Sequence, residues 1–201
     1  MGSSPRSLLD REGNRLYLTP FERRRFLIVA GEYAEPWRTL AEFLTFSGCR
    51  ISEALSVRAS HIDLESNLVA VETLKQRTSG IWRQVPLDSG FVLAMNKRFR
   101  LRPLQHLGAG ASLLWPVGRT SAYNHIKSIM ADAEIVGPQA TPKGLRHTFG
   151  THAMLQGVPI TLVKKWMGHA RLQTTEIYLD VIGPEERDLA RKMWVSTPYQ
   201  E

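Results

Sequence analysis

The residues best suited to chemistry in this 201-residue chain are a few cations, one histidine and one tyrosine, held in short segments. In Ser47-Gly48-Cys49-Arg50-Ile51-Ser52-Glu53 an arginine opens a helix directly after a glycine turn. That is a place where helix N-terminal amides favour an anion. Glu53, one turn on, is placed to brace Arg50. In Thr141-Pro142-Lys143-Gly144-Leu145-Arg146-His147 the lysine and arginine lie three apart and so share a helix face. Trp166-Met167-Gly168-His169 ends a helix at glycine and presents a histidine at the turn, and Thr174-Thr175-Glu176-Ile177-Tyr178 sets a tyrosine in the next helical stretch. Each segment alone also reads as something ordinary: a capped helix with a salt bridge, a solvated basic face, a histidine cap, a core tyrosine. As an ordered set they outweigh those separate readings.

Composition favours an anionic partner. Lys and Arg number 26 against 19 Asp and Glu, a formal net charge of +7, which leaves DNA, RNA and anionic membrane open as partners. The charge is uneven: Lys75, Arg77, Arg83, Lys97, Arg98, Arg100 and Arg102 face only Asp88 across residues 75–103. Arg77, Arg83, Arg98 and Arg100 are the candidates in that cluster for touching a phosphate backbone. Other chemistries find no footing. There is no HExxH, no Walker-type loop and no GxSxG, and Gly108-Ala109-Gly110 is too short for a dinucleotide loop. His147 and His152 are five apart, not the four that would stack them on one helical face, so no metal site is expected. A single cysteine, Cys49, excludes an internal disulfide and favours a reducing, cytoplasmic setting. No apolar run approaches the ~20 residues a membrane helix needs.

The elements that must position these residues are mostly helical. Residues 1–18, polar and rich in Arg and Ser, read as a flexible leader. Thr19-Pro20 suits a helix start, with Phe21, Phe26, Leu27 and Ala30 as its apolar face. Helices follow over 38–46 and from Ile51 to Val57. Residues 67–74 and 81–87, rich in Val, Leu, Trp and Thr, read as a β-hairpin around Arg77-Thr78-Ser79-Gly80. Helices are expected over 89–99, 120–136, 142–155, 159–167, 171–181 and 185–194, and a short strand over 112–117. The expectation is a mainly α fold with a small antiparallel sheet, an α+β domain, and no bound cofactor.

In order, SGCRISEAL, TLKQR with RQVPL after it, KGLRHTFGTH and MGHARLQTTEIY resemble the motifs of the tyrosine recombinase (phage integrase) family. His169 follows Arg146 by 23 positions and Tyr178 follows His169 by 9, intervals that match the family pattern. The resemblance covers residues 19–182, the catalytic domain. It implies that Tyr178 attacks a DNA phosphodiester and leaves a 3′-phosphotyrosine and a free 5′-hydroxyl. Arg50 and Arg146 would hold the non-bridging oxygens with planar guanidinium forks. Lys75 on the hairpin would protonate the leaving oxygen, and His169 would hydrogen-bond the scissile phosphate. Lys143 stands where the family most often has histidine; lysine is also accepted there, and its part as a base toward Tyr178 or as a fixed charge stays open.

The resemblance further implies double-stranded DNA as partner, a homotetramer on DNA and a monomer alone, accessory DNA-bending proteins, and a bacterial, nucleoid-associated location. The tail over 183–201 resembles the family's C-terminal segment, which docks on a neighbouring subunit. Only 18 residues precede Thr19, where most relatives carry a DNA-clamping helical domain. The chain is therefore expected to be either an excised catalytic domain or a naturally short recombinase like the fimbrial-switch invertases. Alternatives are a type IB topoisomerase-like enzyme and a DNA-binding regulator that keeps the fold without catalysis.

Overall fold

Local capping starts the first helix, α1 (Pro20–Ala30). The Thr19 hydroxyl accepts from the Glu22 amide at 3.2 Å, and the Glu22 carboxylate accepts from the Thr19 amide at 2.7 Å. Two otherwise orphaned N–H groups are thereby satisfied, and Pro20 supplies a first-turn position that needs no donor. Phe26 and Ala30 are buried as expected, but Phe21 is exposed. The computed structural model describes residues 7–74 and 80–179.

The remaining described helices are α2 (Trp37–Ser47), α3 (Ile51–Ala54), α4 (Ser89–Phe99), α5 (Leu101–His106), α6 (Arg119–Asp132), α7 (Pro142–Leu155), α8 (Ile160–Met167) and α9 (Gln173–Glu176). The sheet is a meander of β1 (Ile62–Asp63), β2 (Leu68–Glu72) and β3 (Trp82–Pro86), antiparallel throughout, with Val69 opposite Val85 and Val71 opposite Arg83. β2 and β3 are the expected hairpin, and β1 is an addition. The mainly α fold with a small antiparallel sheet holds.

Among the described residues two apolar clusters fill the interior. The larger joins α1–α6, the sheet and the start of α7, around Trp115. The Trp115 ring lies 4.8 Å from Phe43 and 6.0 Å from Phe99, and its indole N–H donates to Thr39 Oγ1 at 3.1 Å. The smaller cluster gathers Leu8, Ala153, Val163, Met167 and Tyr178.

Three expectations need correcting. Residues 7–18 are not a loose leader. Leu9 and Arg15 form an antiparallel bridge, and Asp10 closes the intervening turn by accepting from the amides of Glu12 and Asn14 at 2.9 and 2.8 Å. The Leu18 amide donates to Thr148 Oγ1 on α7 at 2.8 Å, and Leu8 is only 4 % exposed. Residues 112–117 form no strand. They make one bridge, Leu113 with Arg58, and are apolar because Leu114 and Trp115 thread through the core. The helix expected over 171–181 is four residues long. The helix expected over 185–194 and the tail over 183–201 lie outside the described residues.

Leu8→Ala should lower stability by about 2–5 kcal/mol, as for a leucine removed from a packed site. Leu9→Ala, at an exposed position, should stay within about 0.5 kcal/mol. Urea melts of both variants check this; equal, negligible effects would restore the loose leader.

Candidate active site

α2 ends at Gly48, which takes the left-handed conformation (φ +62°), and a Cβ there would lie 2.4 Å from the Phe149 ring. Only glycine allows this turn against α7, and the turn delivers Arg50 to the mouth of a cleft of about 1010 Å³. Lys143, Arg146, His147 and Tyr178 line the same cleft, with His169 from the turn after α8. Leu9, Asp10, Arg11 and Leu16 of the N-terminal strap and Arg119 and Tyr123 of α6 line it as well.

Beneath the cleft floor lies Glu53, fully buried. Arg50 Nη1 donates to its Oε1 at 2.7 Å, the Arg50 amide and Arg83 Nη2 donate to its Oε2 at 3.1 and 2.7 Å, and Arg146 Nη1 lies 4.0 Å from the same oxygen. Burial alone would raise the Glu53 carboxyl. The Arg83 charge and hydrogen bond, followed by the Arg50 amide and charge, outweigh burial and hold it below the usual carboxylate range. Three guanidinium groups against one carboxylate leave a local surplus of positive charge beside the cleft. Arg146 is fixed twice more, donating to the carbonyls of Gly48 at 2.8 Å and Met167 at 2.6 Å. Burial brings its guanidinium down to about 10, still charged at neutral pH.

Tyr178 is 1 % exposed. Its ring rests on Gly150 of α7, where a Cβ would come within 2.6 Å of it. The His147 and His169 rings lie 6.0 and 6.4 Å from it, centroid to centroid. The hydroxyl meets His147 Nδ1 at 3.1 Å. Burial pushes the Tyr178 hydroxyl up to about 12 against the opposing pull of Arg146 and Arg50. Burial, with Lys143 and Arg146, pushes the His147 imidazole down to about 4. At neutral pH the pair is therefore a neutral phenol beside a neutral imidazole. His169 is oriented by Thr175, whose Oγ1 lies 2.9 Å from its Nδ1.

Five of the six expected catalytic residues, Arg50, Lys143, Arg146, His169 and Tyr178, thus converge on one cleft, with Glu53 bracing Arg50 as expected. Lys75 and Arg77 lie outside the described residues. The basic cluster divides. Arg83 does not face a ligand: it is 8 % exposed and bonded to Glu53, to Thr73 Oγ1 at 3.0 Å and to the Trp166 carbonyl at 2.7 Å. Arg98 is tied to Glu42 at 2.8 Å and to Glu35 at 3.5 Å. Arg100 is exposed. Sequence reasoning missed Arg11, Arg119, Tyr123 and His147. The signal for His147 was present, since 143, 146, 147 and 150 fall on one face of a helix. Among the described residues no cluster of His, Cys, Asp and Glu could hold a metal ion, and no helix is long and apolar enough to cross a membrane.

The fold is that of a tyrosine recombinase catalytic domain. The chain belongs to the phage integrase family, whose model matches residues 17–182. It is 33 % identical over 175 residues to the tyrosine recombinase XerC of Mesorhizobium japonicum, covering 82 % of this chain and 54 % of that one. The chain spans about half the length of the curated relatives it matches. Among solved structures, the XerH recombinase in a post-cleavage complex with a palindromic difH substrate superposes with TM-score 0.71 at 21 % identity, over 95 % of this chain and 57 % of that one. The catalytic domain of bacteriophage HP1 integrase gives TM-score 0.65 at 23 % identity, over 92 % of this chain and 98 % of that one.

Glu53→Gln should cost about 3–5 kcal/mol at pH 7, because it strips the charge from a buried pair. A carboxyl held low in the folded state contributes stability above its unfolded value, about 4.3, and loses it as pH falls through the folded value. The gap between native chain and variant should therefore narrow on acidification below about pH 4.3. Urea melts from pH 7 to 3 measure it; a gap independent of pH would remove the charge from the argument.

Proposed function

We propose that this chain is the catalytic part of a site-specific recombinase that breaks and rejoins double-stranded DNA through a 3′-phosphotyrosine. The observation that carries the reading is the convergence of Arg50, Lys143, Arg146, His169 and Tyr178 on one cleft with surplus positive charge beneath it. A phosphodiester attacked by a phenol gathers negative charge on its non-bridging oxygens as the new bond forms. Arg50 and Arg146, held by Glu53 and by two backbone carbonyls, supply fixed positive charge for it without reorganising. His169, oriented by Thr175, donates to the same phosphate. By resemblance Lys75 gives a proton to the leaving 5′-oxygen. One ester replaces another, so the bond energy is kept and the 5′-hydroxyl can reverse the step.

Strand exchange between two duplexes cuts four strands. Four tyrosines are therefore needed, and the working assembly on DNA is a homotetramer formed from monomers. The exposed Arg100, with Arg11 and Arg119 beside the cleft, is the candidate for backbone phosphates. Arg83 and Arg98 act in internal ion pairs instead.

Incubation with a pool of nicked duplexes of randomised sequence tests the reading. A denaturation-resistant adduct that maps to Tyr178 marks a strand transferase, and exchange between two captured duplexes separates a recombinase from a topoisomerase-like enzyme. DNA binding with no adduct would leave a regulator. Tyr178→Phe should abolish the adduct with DNA affinity nearly unchanged. Arg50→Ala should slow cleavage about 10²–10³-fold and Lys75→Ala about 10²–10⁴-fold. A 5′-bridging sulfur, a better leaving group, should restore much of the Lys75→Ala rate and little of the Arg50→Ala rate. Equal restoration would take the acid role from Lys75.

A further inference from the structure

An attacking phenol must lose its proton, and the proposed function leaves the acceptor unnamed. Lys143 is an exposed side chain on the same face of α7, and an ammonium has three donors and no lone pair to offer. The hydroxyl of Tyr178 instead meets Nδ1 of His147, one helical step beyond Lys143, at 3.1 Å. We propose that His147 is the base that takes the Tyr178 proton, with Lys143 acting as a fixed charge.

The assignment rests on the proposed function and on three features of the imidazole. A hydroxyl buried as deeply as that of Tyr178 needs an acceptor for its proton, and Nδ1 is within hydrogen-bond distance. Nε2 of His147 is buried and has no hydrogen-bond partner. Burial and the neighbouring charges of Lys143 and Arg146 disfavour an imidazolium, so the ring rests neutral, and with its proton on Nε2 the Nδ1 lone pair faces the phenol. Finally, the contact is built in, because Gly150 lets the Tyr178 ring close onto α7 beside His147.

The step balances. The bond from Tyr178 Oη to phosphorus forms as the bond from phosphorus to the 5′-oxygen breaks. The phenolic proton passes to Nδ1, giving imidazolium, and the 5′-oxygen takes its proton from the general acid. In rejoining, the 5′-hydroxyl attacks, Tyr178 leaves, and the imidazolium returns its proton to the phenolate. A phosphate between Arg50 and Arg146 brings negative charge to this cleft and makes the imidazole a stronger base with DNA bound than without. A base that holds its proton weakly is also an effective acid in the reverse step.

The test uses the full chain on the nicked duplex it captures best. His147→Asn keeps an amide near the place of Nδ1 that can accept a hydrogen bond but cannot be protonated at neutral pH. It should fold and bind DNA as the native chain does and cleave about 10²–10⁴-fold more slowly. Difluorotyrosine at 178, a more acidic phenol, should restore the Asn variant by a larger factor than it changes the native chain. Cleavage by His147→Asn at the native rate, or an equal fluorotyrosine factor in both backgrounds, overturns the proposal. Nitrogen-15 NMR of the native chain gives a reading free of any folding defect: Nδ1 of His147 should be unprotonated in the free protein, and a protonated Nδ1 would also overturn it. An adduct at Tyr178 with these results negative defeats the base assignment alone. Absence of any adduct with the native chain defeats the proposed function and this inference together.

Discussion

The Glu53 carboxylate, buried from solvent and shared by Arg50, Arg83 and Arg146, is the interaction on which the rest of the site depends. Two cleft arginines this close repel one another, and a buried anion between them is what lets both stand at the same phosphate position. Arg83 completes the arrangement from the sheet side. It reaches Thr73 next to the end of β2 and the last turn of α8 through the Trp166 carbonyl. The strand pair, the helix before His169 and the turn carrying Arg50 are thereby locked in one geometry. Replacing such a network by apolar residues can be neutral for stability in general, but an apolar residue at 53 would leave nothing to aim the two guanidinium groups.

The α7 face shows how a short helix stretch serves several purposes. Lys143 offers charge at the rim, Arg146 charge at the floor, His147 a neutral ring, and Gly150 an empty place for the tyrosine ring. These positions fall on one side of a helix because of its 3.6-residue period. The opposite side, including Leu145, packs into the large core. Precision at the cleft therefore derives from apolar packing behind it.

What was legible in the sequence was what is set locally. The Thr19-Pro20 helix start, the Gly48 turn into Arg50, the β2–β3 pairing and the α7 start at Pro142 each depend on residues within a few positions. What was hidden depends on distant partners. Arg83 reads as one more cation in a basic stretch until Glu53, thirty residues earlier, is placed beside it. Residues 7–18 read as polar because the two leucines that become buried, Leu8 and Leu18, lie on either side of the Asp10 turn, ten positions apart. Helix α5 was not among the expected helices, and it contains Pro103. The proline stands in the first turn, where a missing N–H removes no intrahelical bond. In the sequence His147 reads as one of two histidines five apart, the wrong spacing for a metal pair, and its relation to Tyr178 appears once α7 and the segment after α9 are in contact.

The two apolar clusters divide the site between them. Arg50 and Glu53 are rooted in the large cluster through Ile51 and Ala54, whereas Tyr178 belongs to the small one with Leu8, Val163 and Met167. Among the described residues fewer apolar side chains hold the small cluster, and the end of α8 is tied to Arg83 and Arg146, so the segment that carries Tyr178 is the natural candidate for a partial opening below the global unfolding free energy. An excursion of that kind withdraws the tyrosine while the guanidinium pair and its carboxylate stay assembled. A population of molecules can then hold a phosphate yet be unable to react with it, and grip and reactivity become separately adjustable properties of one small domain.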